Sequence, residues 1–387
     1  MTTSRLDDIS IETLRARGGI KWSRFPGKIG AFIAEMDFGV APAITEALRA
    51  DLADGAFGYL PPPLVERMAR ACAGWLRTRY GWDVPVGRIR PIGDVAAAFT
   101  AAIRFFSRPG SPVILPTPAY MPFLTLPGEL GREVIQVPML RTGTGWRYDL
   151  DALDAAFAAG GHLLVLCNPH NPIGRVLTRD EMLEISEIVR RHDGRVFSDE
   201  IHSPLVYPGH RHVPYASLSE TTAAHTITAT SASKAWNLPG LKCAQMIFSN
   251  DADLETWTRV SGYTEYTASN PGLIANAAAY TDGVPWLEET LGYLDGNRTH
   301  LAELLAEHLP QVRYLPPEGT FLAWLDCRDL GLGESPARFF QDRADVVLTP
   351  GEDCGDAGRG FVRFNFAMPR PLLRVAVERM AKALSER

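Results

Sequence analysis

The sequence predicts an α/β fold in which a large, mostly parallel β-sheet flanked by helices is joined to a smaller α+β domain. Between residues 90 and 250, short apolar runs alternate with helical segments, and this alternation is typical of a doubly wound sheet. After Tyr280, a long helical pattern is followed by several short strands, which indicates a second unit. The chain has 387 residues, 46% of them hydrophobic, so both units can bury a sizeable core.

The strands of the large sheet are predicted from apolar runs bounded by glycine, proline and polar residues, as is typical of buried parallel strands. These runs are 113–115, 163–167, 196–197, 226–229 and 245–248. The helices predicted within or before this region are 42–54, 65–80, 95–106 and 178–192. At the start of the last helix, Thr178 and Glu181 predict a capping box.

The smaller domain is predicted from the C-terminal pattern together with the N-terminal segment. Its helices are 286–308, 337–344 and a terminal helix from residue 372, and its strands are 321–325, 346–348 and 361–366. The first forty residues are interrupted by Gly-Gly and Pro-Gly pairs, so we expect them to be irregular. The predicted large domain is therefore 45–280, and the small domain combines 1–44 with 281–387.

Composition and charge argue against several classes of protein. The formal net charge is -6 and no block of five or six like charges occurs, which disfavours nucleic-acid binding. The five cysteines are scattered without a C-x-x-C pair, so we expect neither a disulfide framework nor a zinc site, and a reducing, cytoplasmic compartment fits best. The chain shows no signal-peptide pattern and no run of about 18 apolar residues, so we expect neither export nor a membrane span.

A bound metal is not expected either. His210 and His212 could be considered a metal-binding pair, but no third ligand with suitable spacing accompanies them. We therefore expect both histidines to be solvated loop residues.

The candidate functional residues lie where the predicted strands end, because ligands of such sheets bind at the carboxyl ends of the strands. Lys234 follows strand 226–229, on a loop that also contains Ser231, Ser233 and a second cation, Lys242. The loop therefore places one amine among hydroxyl groups at an edge of the sheet.

Two other strands end in polar residues. Strand 163–167 runs into N-P-H-N-P-I-G at 168–174, a loop in which two Asn-Pro pairs stop both strand and helix, although a plain double turn would look the same. Strand 195–198 ends at Asp199. A buried carboxylate there needs a cation or a donor, whereas capping the next helix is an equally common role.

Gly93-Asp94-Val95 opens an alanine-rich helix, and free N–H groups at a helix start can hold a phosphate. Alone, this pattern is more typical of an ordinary helix start. In combination with Lys234 and the polar strand ends, it suits a phosphorylated pyridine aldehyde better than a nucleotide.

Several motifs carry a resemblance to a known family. They are N-P-H-N-P-I-G at 168–174, D-E-I-H at 199–202, S-A-S-K-A-W-N-L-P-G-L-K at 231–242 and R-F-N-F at 363–366. They resemble the fold-type I pyridoxal phosphate enzymes of the class I/II aminotransferase group, over essentially the whole chain. Within that group, the MalY/PatB-type cystathionine β-lyase branch is indicated by K-W at 21–22, A-E-M-D-F at 34–38, F-G-Y at 57–59 and P-E-G-T-F-L-A-W at 317–324.

The resemblance implies a seven-stranded type of sheet in the large domain, pyridoxal 5'-phosphate (PLP) as the cofactor, and a homodimer with shared active sites. The implied catalytic residues are Lys234, Asp199 and Tyr120. Lys234 would bind the cofactor and move the substrate proton, Asp199 would pair with the ring nitrogen, and Tyr120 would stack on the ring. Asn171 would donate to the phenolic oxygen, with His202 either beside it or simply packed.

The resemblance also implies contacts to the phosphate and to the substrate. The implied phosphate ligands are the amides of Gly93, Asp94 and Val95, the side chains of Ser231, Ser233 and Lys242, and Tyr59, which would reach the phosphate of the neighbouring subunit. Arg363 would clamp the substrate carboxylate through a bidentate pair, and Asp37 and Asn171 are further implied substrate contacts.

Two residues depart from the family pattern. Glu35 stands where an aspartate is usual, in A-D-M-D-F, and Asp94 places a carboxylate beside the implied phosphate site. We expect Asp94 to point away and cap the helix. Both departures could alter the choice of substrate.

The resemblance implies a PLP-dependent carbon–sulfur β-lyase that cleaves L-cystathionine or another L-cysteine S-conjugate to a thiol, pyruvate and ammonia. An aminotransferase would use the same lysine, aspartate and arginine, so the sequence leaves that alternative open. A lyase-like enzyme of specialised metabolism, acting on a large cysteine conjugate with altered chemistry, is another. A non-catalytic regulatory protein is disfavoured because the implied cofactor residues are all present.

Overall fold

The structure of the protein, a computed structural model, describes residues 3–55, 58–143 and 145–387. These residues form two main sheets, one of seven strands and one of four, surrounded by helices. Within these ranges, no helix is both long and apolar enough to span a bilayer.

The α-helices of the described residues are, in chain order, Thr3–Asp7 (α1), Ile11–Arg17 (α2), Ile20–Ser23 (α3), Pro42–Asp54 (α4), Pro62–Tyr80 (α5), Val95–Phe105 (α6), Met121–Glu129 (α7), Leu150–Ala158 (α8), Arg179–Arg191 (α9), Glu220–His225 (α10), Asp251–Val260 (α11), Asn270–Thr281 (α12), Val284–His308 (α13), Pro336–Arg343 (α14) and Arg370–Ser385 (α15). The strands are Ile29–Gly30 (β1), Ile89–Ile92 (β2), Val113–Thr117 (β3), Val134–Pro138 (β4), Leu140–Arg141 (β5), Trp146–Arg147 (β6), Leu163–Cys167 (β7), Arg195–Asp199 (β8), Thr226–Thr230 (β9), Ala244–Phe248 (β10), Arg313–Tyr314 (β11), Leu322–Asp326 (β12), Val346–Val347 (β13), Thr349–Pro350 (β14) and Phe361–Asn365 (β15).

The large sheet has the strand order β2-β10-β9-β8-β7-β3-β4. Strand β10 runs antiparallel to β9 and β2, whereas the other pairings are parallel. All strands except β10 therefore point the same way, and their carboxyl ends meet at one edge. Strands β3, β7 and β9 are buried along their whole length, as expected for a sheet covered on both faces. The predicted mostly parallel, seven-stranded sheet is confirmed.

The small sheet is antiparallel, with the order β11-β12-β15-β14. Its strand β15 has neighbours on both sides, and Arg363, at the middle of this strand, lies opposite Trp324 on β12 and Thr349 on β14. The guanidinium group is thus carried by a strand that is fully buried.

The N-terminal segment joins the small sheet region through a short strand and a buried ion pair. Strand β1 pairs in parallel with β13. Lys21 Nζ lies 2.9 Å from Asp37 Oδ2, with side-chain exposures of 2% and 3%, and the indole N–H of Trp22 donates to Asp37 Oδ1 at 2.8 Å. The K-W and A-E-M-D-F motifs are therefore two halves of one buried contact.

Most predicted elements are present, and the differences have physical reasons. The first forty residues are not irregular: they contain α1 to α3, and Ser10 caps α2 through Thr13 N. The predicted strand 346–348 is two strands, because β13 pairs with β1 while β14 pairs with β15. The strand β2 was not predicted because Pro91 lies within it, and an edge strand tolerates proline. The predicted capping box of α9 is present.

The large sheet lies within residues 45–280 and the four-stranded sheet within 281–387. One hydrophobic cluster, however, includes residues from both sequence ranges, such as Trp75, Trp236 and Phe340. The division into two domains stays a prediction.

Breaking the buried ion pair should be costly. Asp37→Asn leaves the Lys21 ammonium group buried without a charged partner, so we expect a loss of about 3–5 kcal/mol in the free energy of unfolding, measured by urea denaturation. Glu378→Gln, which removes an exposed i,i+4 pair with Arg374, should cost less than about 1 kcal/mol. Equal effects of the two changes would contradict the stabilising role of the Lys21–Asp37 pair.

Candidate active site

Side chains from five strands converge at the edge of the large sheet where the parallel strands end. Asp199 is the last residue of β8, and the loops after β3, β7 and β9 carry Tyr120, Asn171 and Lys234. The loop after β2 leads into Asp94, the N-cap of α6. The sheet topology therefore brings together residues that are far apart in the sequence.

The loop that carries Lys234 is held by hydrogen bonds on both sides. The hydroxyl of Ser231 donates to the carbonyl of Cys243 at 2.6 Å and accepts from the amide of Ser233 at 3.0 Å. Asn237, which has a positive φ of 60°, accepts from the amide of Met36 and donates to its carbonyl, both at 2.9 Å. The loop is thereby fixed to the A-E-M-D-F segment.

The side chain of Lys234 is half-buried, and its amine lacks an ion-pair partner within the described residues. Its Nζ donates to the carbonyl oxygen of Ala34 at 3.0 Å. Burial, reinforced by the nearby Arg363 guanidinium, lowers the pKa of Lys234 to about 8, although the carboxylates of Glu35 and Asp199 oppose the shift. A substantial fraction of the amine is therefore neutral, and so nucleophilic, near physiological pH.

Asp199 is a buried carboxylate with only weak donors. Its Oδ1 accepts from the amide of Ile201 at 3.1 Å and its Oδ2 lies 3.6 Å from the thiol of Cys167. Burial raises the pKa of Asp199 to about 6. A cation placed beside this group would stabilise its ionised form.

Arg363 is also buried, at 2% exposure, and pairs with no carboxylate in the described part of the chain. Its Nη1 donates to Asn171 Oδ1 at 3.1 Å, and its Nη2 donates to the carbonyl of Phe32 at 2.8 Å and to Thr349 Oγ1 at 3.1 Å. Its Nε has no hydrogen-bond partner among the residues that the structure describes. Because a buried guanidinium without a counter-ion is unfavourable, this geometry indicates a site for an anionic ligand.

His202 and Tyr120 complete the inner part of the site as neutral groups. Burial, together with the charges of Lys234 and Arg363, lowers the pKa of His202 to about 3. Its buried Nδ1 has no hydrogen-bond partner within the described ranges. Burial raises the pKa of Tyr120. The ring of Tyr120 meets that of Phe123 edge to face, with centroids 5.5 Å apart.

Several of the site residues line a cleft of about 1020 Å³. Lys234, Arg363, Tyr120 and Glu35 line it together with residues of α14 and of the 350–353 segment. Lys234 and Arg363 are therefore accessible from one cavity, and a ligand can contact both.

The residues expected to bind a phosphate form a cluster, but several already have partners. Asp94 caps α6 by accepting from the amide of Ala97 at 2.8 Å, as expected, and its other oxygen lies 2.8 Å from Lys242 Nζ. The amide of Gly93 donates to Thr267 Oγ1 at 2.9 Å. The structure thus places Lys242 beside the start of α6, and shows an ion pair there that the sequence did not predict.

Asp37 requires a correction, because it is not available to a substrate. Both of its carboxylate oxygens are engaged, by Lys21 and Trp22, so its function is to hold the N-terminal segment. His212 also differs from expectation. It is buried rather than solvated, with Nε2 3.0 Å from Glu200 Oε2.

Tyr59 is 93% exposed and contacts none of the site residues described above. Its predicted contact with the phosphate of a neighbouring subunit stays a prediction. Residues 56 and 57 of the F-G-Y motif region lie outside the described residues.

Sequence reasoning missed Asn237, Ala34 and Thr267. Asn237 lies within the S-A-S-K-A-W-N-L-P-G-L-K motif without a predicted contact, and its positive φ is the kind of conformation that Asn often adopts. Ala34 contributes a carbonyl oxygen, which no side-chain pattern could reveal. Thr267 reaches Gly93 across 174 residues of sequence, so no local signal exists for it.

A seven-stranded, mostly parallel sheet with a half-buried lysine after one strand and a buried aspartate at the end of its neighbour defines the class of protein. The chain belongs to the class I and II aminotransferase family, whose model matches residues 30–380.

Three proteins with more specific names are similar to this chain over nearly its whole length. The cystathionine β-lyase of Corynebacterium glutamicum is 38% identical, over 97% of this chain and 99% of its own length. The crystal structure of a proposed PLP-dependent β-cystathionase from Corynebacterium diphtheriae is 40% identical, with a TM-score of 0.92 over 97% of this chain and 98% of that one. The crystal structure of the PLP-bound C-S lyase of Staphylococcus hominis is 26% identical, with a TM-score of 0.91 over 98% of this chain and 99% of that chain.

The lowered pKa of Lys234 can be measured directly. In the protein without ligands, its amine should titrate with a midpoint near pH 8 instead of near its ordinary value of 10.5. Asp199→Asn should lower the midpoint further, because it removes a negative charge that stabilises the ammonium form.

The measurement is NMR of lysines labelled at Cε, which is practicable because the chain has only five lysines, and Lys234→Arg assigns the signal. Asp251→Asn, an exposed surface change, is the control and should leave the midpoint in place. A midpoint near 10.5 in the wild-type protein would contradict the burial of the amine.

Proposed function

We propose that the protein is a PLP-dependent carbon–sulfur β-lyase that cleaves L-cystathionine or another L-cysteine S-conjugate to a thiol, pyruvate and ammonia. The observation that carries the proposal is that a half-buried amine of lowered pKa, Lys234, and a buried guanidinium, Arg363, which pairs with no carboxylate of the described residues, line one cleft. The names of the relatives at 38% identity and similar length support the same reaction.

The residues present fit the cofactor. The amine of Lys234 is accessible from the cleft, and the buried carboxylate of Asp199 forms no ion pair with a cation of the described residues, so a protonated ring nitrogen would supply one. The Nδ1 of His202 is buried and unpartnered, so it can bond to a polar ring substituent. The start of α6 and Lys242 provide N–H groups and a positive charge for the phosphate.

We assign the contacts to the cofactor on this basis. Lys234 would hold the aldehyde carbon, Asp199 the ring nitrogen, and Asn171 with His202 the phenolic oxygen, while Tyr120 packs on the ring. The amides of Asp94 and Val95, with Ser233 and Lys242, are the proposed phosphate ligands. Gly93 and Ser231 would contribute less, because the Gly93 amide and the Ser231 hydroxyl already donate to Thr267 and Cys243.

Arg363 and Lys234 have different functions in the proposed reaction. When bound, PLP withdraws electrons from the substrate's α-carbon and so acidifies the proton on it. Arg363 binds the α-carboxylate through its paired N–H groups, which fixes the direction of the Cα–H bond. Lys234, once neutral, removes the proton from Cα.

The bond changes balance without any further reactant except water. The electrons released at Cα form a double bond to Cβ as the Cβ–S bond breaks, and the sulfur leaves as a thiolate that takes up a proton. Hydrolysis of the remaining enamine gives pyruvate and ammonia. Because no electrons are gained or lost overall, a keto acid is not consumed.

We further propose that the chain forms a homodimer with shared active sites. The side chains of Tyr59, Tyr263 and Tyr266 are 93%, 89% and 54% exposed and border one surface cavity. Exposed aromatic groups clustered in this way are typical of an interaction surface. In this arrangement Tyr59 would extend towards the phosphate of the other subunit.

Pyruvate release is the decisive test of the function. Incubation of the holoenzyme with L-cystathionine should yield pyruvate without an added keto acid, and Lys234→Ala should lower kcat by roughly a thousandfold or more. Borohydride reduction of the holoenzyme should place a pyridoxyl group on Lys234. Strict dependence of turnover on a keto acid would instead identify an aminotransferase.

The ion pair between Asp94 and Lys242 makes a separate prediction about cofactor affinity. Asp94→Asn should bind PLP about three- to tenfold more tightly, because asparagine retains the helix cap while a negative charge beside the phosphate is removed. Absorbance titration of the cofactor-free protein measures Kd.

Lys242→Gln serves as the matched change and should weaken binding, because it removes the positive charge from the same pair. Weaker binding by Asp94→Asn would mean that the carboxylate organises the phosphate site rather than opposing it.

A further inference from the structure

The two strands that lead to Tyr120 and Asn171 separate before they reach the site. In the described part of the chain, β3 and β7 pair only at the start of both strands. Beyond that point β3 stays paired with β4 up to Thr117, whereas β7 stays paired with β8 up to Cys167. The spacing of the loops that follow, 118–120 after β3 and 168–174 after β7, is therefore not set by hydrogen bonds between these two strands.

The side chain of His170 joins the two loops. Its ring Nε2 donates to the carbonyl oxygen of Pro118 at 2.8 Å, and the residue is 2% exposed. Its own amide donates to the carbonyl of Arg175 at 2.8 Å, and its carbonyl accepts from the amide of Gly174 at 2.7 Å. The backbone of His170 is thus held within one loop while its ring reaches the other. Across the described ranges, no other hydrogen bond links 118–120 directly to 168–174.

The ring of His170 is neutral and has a defined tautomer. Burial lowers the pKa of His170 to about 4, although hydrogen bonds to the carbonyls of Pro118 and Cys167 oppose the shift. Because a carbonyl oxygen can only accept, the proton lies on Nε2. Nδ1 then accepts from the hydroxyl of Tyr148, 3.4 Å away. Both ring nitrogens have partners within the fold, so His170 does not itself bind a ligand.

The two joined positions adjoin residues that are assigned to the cofactor. Pro118 lies two residues before Tyr120, the N-cap of α7, and His170 directly precedes Asn171. Tyr120 is assigned to the face of the PLP ring and Asn171 to its phenolic oxygen. A change in the distance between the loops would therefore move these two contacts relative to each other.

We propose that His170 is a positioning residue for the cofactor, because its hydrogen bond to Pro118 holds the loops of Tyr120 and Asn171 at the spacing that PLP requires. This inference rests on the cofactor contacts of the proposed function, and not on which bond of the substrate breaks. The hydrogen bond is made within the protein alone, so the loops are in place before the cofactor binds. Binding therefore does not have to order them, which favours affinity.

The test compares two replacements of equal length. His170→Gln keeps an N–H group that can donate to Pro118, whereas His170→Met has none. We expect His170→Met to raise the Kd for PLP about three- to tenfold, and His170→Gln to remain within about twofold of the wild type. Absorbance titration of the cofactor-free protein measures Kd. Circular dichroism in the visible band of the bound cofactor, which should weaken in His170→Met, reports how firmly the ring is held.

His225→Met is the matched control for the loss of a buried histidine. Nε2 of His225 lies 3.0 Å from the hydroxyl of Tyr215, and His225 is 8% exposed. It precedes the first residue of β9, at the edge of the sheet opposite to Lys234. His225→Met should lower the free energy of unfolding but leave the Kd for PLP and the dichroism unchanged. Tyr148→Phe, which removes only the contact at Nδ1, should leave both unchanged as well.

A measurement on the wild-type ring needs no destabilising change. Nitrogen NMR of labelled histidines, with His170→Gln to assign the signal, should show the ring of His170 neutral at pH 7 and its proton on Nε2. A proton on Nδ1 would mean that the hydrogen bond to Pro118 does not form, and this result would overturn the positioning role even if His170→Met does not fold.

The outcomes separate this inference from the lyase function. If His170→Met binds PLP with an unchanged Kd and dichroism while the wild-type enzyme releases pyruvate, the lyase proposal stands and the positioning role is wrong. If Kd and dichroism change as expected but L-cystathionine yields no pyruvate, the positioning role stands and the lyase proposal fails. An equal rise in Kd for His170→Met and His225→Met would reflect lost stability alone, and would also contradict the positioning role.

Discussion

The site depends on two basic groups, the half-buried amine of Lys234 and the buried guanidinium of Arg363, and neither forms an ion pair with a carboxylate in the part of the chain that the structure describes. Lys234 and Arg363 repel each other, and this repulsion adds to burial in lowering the pKa of Lys234. The arrangement costs folding free energy, because a buried charge without a counter-ion is unfavourable. An anionic ligand bound to Arg363 would recover that cost, so the unliganded fold favours binding of an anion at this position.

The short segment from Ala31 to Phe38 connects this pair of cations to the rest of the molecule. Its carbonyl groups accept from Lys234, at Ala34, and from Arg363, at Phe32. It is held in turn by the side chain of Asn365, which donates to the carbonyls of residues 33 and 35, and by the ion pair of Asp37. Loss of the Lys21–Asp37 contact would therefore disturb the segment that positions Lys234 and Arg363, in addition to lowering the free energy of unfolding.

The sequence predicted the sheet and the residues at its strand ends well, because apolar runs and the prolines or glycines that stop them are local signals. It predicted Lys234, Asp199 and Arg363 through motifs that the structure brings into one region. It did not predict that Asp37 would form an ion pair with Lys21, that His212 would be buried against Glu200, or that Lys242 would pair with Asp94. Each of these contacts depends on tertiary packing, which determines whether a charged side chain faces a ligand or a neighbour.

The use of main-chain carbonyls to hold the two cations has a consequence for how such a cleft can diversify. A carbonyl oxygen is present whatever side chain the residue carries. The side chains at positions 32 to 35 can therefore change without removing the carbonyl acceptors of Lys234, Arg363 and Asn365. Substitutions in this segment therefore keep the main-chain contacts of Lys234 and Arg363, while they change the side chains that line the cleft and contact a ligand.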